Sequence, residues 1–80
     1  MTHKVAERVI NKLGGARAVA GMLGMTTQAV YRWMKPIEQG GAGGLIPMKR
    51  QLELMVAAHQ RGLELEHADF YPRLENADKV

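Results

Sequence analysis

The stretch from Ala16 to Met34, ARAVAGMLGMTTQAVYRWM, decides the fold. Its apolar residues keep helical spacing in two short runs separated by a glycine. Val19, Ala20 and Leu23 share one face of a helix predicted from Ala16 to about Leu23. Met25, Val30 and Trp33 give an inward face to a second helix, which starts at Thr26 or Thr27 and ends near Met34. Ala20 is small enough for the second helix to cross close over the first. Gly24 falls where the chain turns sharply, and glycine takes positive φ with no Cβ clash. A hydroxyl from Thr26 or Thr27 can cap the second helix. The pattern is that of a helix-turn-helix, whose second helix enters the DNA major groove. The competing reading is a plain helical hairpin with a core stripe. Several requirements coincide against it: a small residue, a glycine four residues later, a β-branched residue six after that, and an aromatic three further on.

Eighty residues make one domain, near the lower limit for a self-sufficient core, so a second copy can be needed to complete it. The chain has no cysteine, which excludes a disulfide framework and a thiolate metal site. No long apolar run opens the sequence, so neither a signal peptide nor a membrane span is expected. A soluble cytoplasmic protein is the expectation. The net charge is +3, and it is unevenly spread. Residues 1–35 carry Lys4, Arg8, Lys12, Arg17, Arg32 and Lys35 against Glu7 alone, whereas residues 36–80 carry five basic and seven acidic residues. The positive half is the half that holds the helix pair, where a polyanion would be drawn.

Around this centre, residues 4–13 read as an amphipathic helix, with Val5, Val9 and Leu13 every four residues and Ala6 and Ile10 beside them. Lys4, Arg8 and Lys12 form a second stripe. It reads as a solvated face, with phosphate contact as the alternative. Gly14-Gly15 ends this helix. Lys35-Pro36 stops the second helix of the pair, because the residue before proline leaves the α region. Residues 36–45, PIEQGGAGGL, lack the strand and the Gly-Lys-Ser or Gly-Lys-Thr of a phosphate cradle, and they read as a flexible connector. From Pro47 to Arg61 a last helix is expected, with Leu52, Met55, Val56 and His59 or Ala58 inward. Leu63–Tyr71 reads as an extended segment with a turn at His67-Ala68-Asp69, anchored by Phe70. Residues 73–80 read as a flexible tail after a single domain of residues 1–72.

His3, His59 and His67 have no metal-ligand spacing, and there is no serine for a Ser-His-Asp set. No catalytic residue, metal, cofactor or small-molecule substrate is expected. The residues left facing out of the second helix are more informative. Once Val30 and Trp33 are turned inward, Thr27, Gln28, Tyr31 and Arg32 remain, with no acid among them. Gln pairs with adenine N6 and N7, Arg with guanine O6 and N7, and Thr bonds a base edge or touches a thymine methyl. Tyr31 can bond a phosphate or pack on a sugar. Lys49 and Arg50 stand in the first turn of the last helix, where the helix dipole disfavours cations, and this hints at an approaching phosphate.

The run LGGARAVAGMLGMTTQAVYRW, followed by Ile-Pro before another helix, resembles the Cro repressors of lambdoid bacteriophages, their all-helical branch most. Arg17-Ala18-Val19-Ala20, Leu23-Gly24, Ala29-Val30, Trp33 and Ile46-Pro47 fit that pattern as they stand. The resemblance covers roughly residues 9–60. The chain departs from the family between Met34 and Leu45, which separate Trp33 from the Ile-Pro. The resemblance implies an all-α, λ-repressor/Cro-like helix-turn-helix domain of four to five helices. It implies a transcriptional repressor of phage or prophage origin that binds double-stranded DNA at a palindromic operator as a homodimer. By motif position Thr27, Gln28, Tyr31 and Arg32 fall at or beside base-reading positions, and Arg17 and Thr26 fall where phosphates are gripped. Lys35, Lys49 and Arg50 complete the expected phosphate contacts. Candidate dimer contacts are Met34, Ile37, Leu65 and Phe70. The same helix pair occurs in the DNA-binding antitoxins of toxin–antitoxin modules, and a protein-interaction module using residues 63–71 is the other class weighed. RNA binding lacks its aromatic stacking platforms.

Overall fold

The computed structural model describes residues 3–72, so the expected tail at 73–80 lies outside the described residues. Among these residues every regular element is a helix or 3₁₀ turn, and there is no strand. The first helix, α1 (Val5–Lys12), buries Val5, Ala6, Val9 and Ile10, the four-residue stripe read from the sequence. Gly14 and Gly15, both at positive φ, swing the chain into α2 (Ala16–Leu23), which buries Ala16, Val19 and Ala20. Gly24 ends α2 in the left-handed region at φ 66°. Thr26 is extended, and its Oγ1 accepts the Ala29 N–H at 3.1 Å, capping α3 (Thr27–Arg32). This helix ends slightly before the expected Met34. The N–H groups of Trp33, Met34 and Lys35 turn to carbonyls three residues back, at 3.0–3.2 Å, which tightens the last turn before Pro36.

The glycine-rich segment is not the flexible connector expected of its composition. After a 3₁₀ turn at Ile37–Gln39, its backbone is hydrogen-bonded back to the end of α3. Gly41 N–H reaches Pro36 O, Ala42 N–H reaches Arg32 O, Gly43 N–H reaches Lys35 O and Gly44 N–H reaches Trp33 O, at 2.7–3.2 Å. It also holds the start of the chain: His3 N–H donates to Gly43 O at 2.8 Å and Ala6 N–H to Gly44 O at 2.7 Å. The approach is so close that a Cβ on Gly44 would overlap the His3 carbonyl, and one on Gly41 the Lys35 carbonyl. Glycine is needed here for close packing as well as for turning.

The last α-helix, α4 (Met48–Gln60), corrects a second expectation. It buries Leu54, Ala57 and Ala58, with Met55 partly buried, whereas Leu52 and Val56 face solvent. Leu54 and Ala58 lie one turn apart on the side that meets α2, so tertiary packing has chosen between two apolar faces. Gln51 Nε2 donates to Ile46 O at 2.9 Å and ties the first turn down.

A closing 3₁₀ turn, His67–Phe70, sets Phe70 into the core beside α1. Two cations of the α1 stripe hold it there. Lys12 Nζ lies 2.9 Å from Asp69 Oδ2, and Arg8 Nη2 donates to the Tyr71 carbonyl at 3.1 Å. Phe70 is therefore a core residue, unavailable as a dimer contact or as part of a docking edge. Val5, Val9, Val19, Val30 and Leu54 are the fully buried centre, with Trp33, Ile46 and Phe70 around them. No helix among the described residues is long and apolar enough to cross a membrane.

Candidate nucleic-acid interface

The inward face of α3 is fixed by Val30, fully buried, and by Trp33 at its end, also buried. Turning these two inward leaves Gln28, Tyr31 and Arg32 exposed, with Thr27 half-buried at the rim. Gln28, Tyr31, Arg32 and Lys35 recur at three- and four-residue spacing, the period of one helical face. Gln28, Tyr31 and Lys35 line a shallow recess with Met34 and Pro36. Arg32 lines the neighbouring cleft instead, where Arg50 from the first turn of α4 joins it across the glycine loop. Arg32 and Arg50, far apart in sequence, thus line one concave surface beside α3.

The basic side chains divide into two sets. Arg8 and Lys12 hold the C-terminal turn, and Arg61 Nη1 donates to the Ala57 carbonyl at 3.3 Å. Lys4, Arg17, Arg32, Lys35 and Lys49 are exposed and their side chains form no hydrogen bond or ion pair within the described residues. Arg50 is intermediate, bonded to Glu53 at 2.8 Å while it faces the cleft. No carboxylate occurs between Glu7 and Glu38, so α2, α3 and the turn between them carry uncompensated positive charge. A polyanion approaching α3 meets cations whose hydrogen-bonding capacity is unspent.

The expected site residues are not all brought together. Thr27, Gln28, Tyr31, Arg32 and Lys35 belong to the α3 surface, and Arg50 joins it. Arg17 stands on the first turn of α2. Thr26 is occupied as an N-cap acceptor, but its hydroxyl proton stays free to donate to an anion. Lys49, the residue before Arg50, stands about 100° around α4 from it and is not among the residues lining the cleft with Arg32. The pairing of Arg32 with Arg50 was not visible in the sequence, because it depends on how the folded glycine loop returns the chain to α3.

The family model described as the DNA-binding transcriptional regulator Cro matches residues 5–61, from the start of α1 to just past α4. No curated protein and no solved structure matches the chain.

Proposed function

Because the chain belongs to the Cro family of DNA-binding transcriptional regulators, we propose that it is a repressor of phage or prophage origin that binds a palindromic operator as a homodimer. The α3 helix enters the major groove. Gln28 and Arg32 read base edges, with Thr27 and Tyr31 completing the contact to bases or the adjoining sugar. Arg17, Lys35 and Arg50 grip phosphates, and Thr26 donates its hydroxyl proton to one.

The observation that carries this reading is the outer surface of α3. Its polar side chains are unpaired, and no carboxylate is close in sequence to oppose a phosphate backbone. A six-residue helix covers only a few base pairs, so one copy reads too little sequence to find a single site. Two copies on half-sites one helical turn apart, about 34 Å, double the contacts.

The test is a selection from random duplex DNA followed by gel shifts on the recovered sequence. A palindrome bound more tightly than the same duplex with one half scrambled supports the dimeric operator reading. Recovery of no preferred sequence overturns the operator, and equal affinity for half and full sites overturns the dimer.

A further inference from the structure

The outer face of α4 has no partner in the fold. Met48, Leu52 and Val56 are 78 %, 60 % and 59 % exposed, and their four-residue spacing sets them in one line along the helix. The inner face of α4 is already packed on α2, so this second apolar line is spare. Beside it runs an open groove lined by Leu52 and Val56 of α4 and Met22 and Leu23 of α2, and also by polar residues, Glu53 and Arg61 among them.

We propose that this surface is where a second copy of the chain docks, α4 against α4, antiparallel about a twofold axis at Leu52. The inference rests on the dimer reading above and assigns its interface. An isologous contact needs a patch that complements itself. Here one patch holds both a ridge and a groove. The line of three maps onto itself, with Met48 against Val56 of the second copy and Leu52 against Leu52.

The flanking charges agree with this register. Lys49 and Glu53 lie on the same flank of α4. At 1.5 Å per residue, Lys49 of one copy falls about 3 Å along the axis from Glu53 of the other, so the twofold axis repeats one Lys49–Glu53 pair on each side of the interface. The two Glu53 side chains also come near each other, but each is already bonded to its own Arg50 at 2.8 Å. Lys49 therefore serves the pairing of copies, while Arg50, on the α3 side, serves the phosphates. The surface carries no concentration of free cations that would suit it to DNA.

Area sets the strength. The exposed parts of Met48, Leu52 and Val56 amount to roughly 350 Å² per copy, against about 800 Å² per partner in a stable standard interface. With Met22, Leu23 and the flanking polar groups the contact still falls short of that. The dimer is weak when free and is completed when two half-sites hold the copies together.

The chain has no cysteine, which permits a direct test. Helices packed about 9–10 Å apart bring two Leu52 Cα atoms to about 4.4–5.4 Å, within disulfide range. Under mild oxidation at high protein concentration, Leu52→Cys should form a covalent dimer faster than Ile37→Cys or Leu63→Cys, two other exposed apolar positions. Equal or faster cross-linking at either comparison position overturns the interface. Leu52→Glu, at an exposed position, should keep native circular dichroism and weaken self-association in sedimentation equilibrium by about tenfold or more, since two carboxylates would face each other. Unchanged self-association overturns the proposal. Both measurements are made without DNA, so their outcome is separate from that of operator binding. On a selected operator, Leu52→Glu should lose affinity for the full site and keep it for the half-site.

Discussion

Replacing Gly44 by alanine tests whether the glycine loop is a structural clamp. Gly44 sits at φ 82° with no room for a Cβ beside the His3 carbonyl. An alanine in the left-handed region costs about 1–2 kcal/mol. The overlap adds to that by pushing residue 3 away, which removes the bond from His3 N–H to Gly43 O and strains the one from Ala6 N–H to Gly44 O. Each such bond contributes about 0.5–1.5 kcal/mol net, so the whole effect is about 2–5 kcal/mol. A domain of this size has a total stability of about 5–15 kcal/mol. Gly40→Ala is the internal control, because Gly40 has nearly the same φ, 81°, and open space where its Cβ would lie. It should lose only the conformational part, about 1–2 kcal/mol. Urea unfolding followed by the fluorescence of Trp33, the sole tryptophan, reads both variants. The probe is close to the change, since its carbonyl accepts the Gly44 N–H at 2.7 Å. With a slope of about 1–2 kcal/mol/M, the Gly44→Ala midpoint should fall below that of Gly40→Ala by about 0.5–3 M. Equal midpoints would refute the clamp and return the loop to a mere connector.

Leu54→Ala should cost about 2–5 kcal/mol in the same assay, as a fully buried side chain, whereas Leu52→Ala should stay within about 0.5 kcal/mol; the reverse order would mean that α4 packs by its other face. Thr26→Ala removes the cap acceptor of α3 and should cost about 1 kcal/mol, restored in large part by Thr26→Ser; no loss in thermal melting would show that the cap contributes nothing. Arg32→Ala should lose about 1–3 kcal/mol of operator affinity and relax the preference at one symmetric pair of positions, read by repeating the selection with the variant; an unchanged preference removes Arg32 from base reading.

What the sequence made legible was local. The faces of α1, α2 and α3 followed from spacing, because each has one apolar stripe set against polar residues. Gly24 and Thr26 announced the turn and the cap through properties of single residues. The orientation of α4 was not legible. Leu52, Leu54, Met55, Val56, Ala57 and Ala58 make nearly its whole circumference apolar, so periodicity alone could not say which side meets α2. The glycine segment misled for a related reason. Composition reports conformational freedom, but not the carbonyls of Arg32, Trp33 and Lys35 that take it away. Arg8 and Lys12 matched any solvated stripe until Tyr71 and Asp69, about sixty residues later, supplied their partners. For the site, the outward residues of α3 were legible, and packing added that Arg50 lines one cleft with Arg32 while Lys49 does not.

We propose that Arg17, Lys35 and Arg50 meet a phosphate backbone, Arg50 while it keeps its bond to Glu53, whereas Arg8 and Lys12 only hold the fold. The most direct test is duplex affinity measured over a range of salt concentrations. With Arg17, Lys35 and Arg50 on phosphates, log K against log salt should have a slope of about −3 per bound copy, at about 0.9 for each phosphate neutralised. Arg17→Ala should make that slope shallower by about one unit. Lys12→Ala, whose ammonium is held 2.9 Å from Asp69, should leave the slope unchanged. Affinity that does not vary with salt, or an equal loss of slope in both variants, would contradict the account.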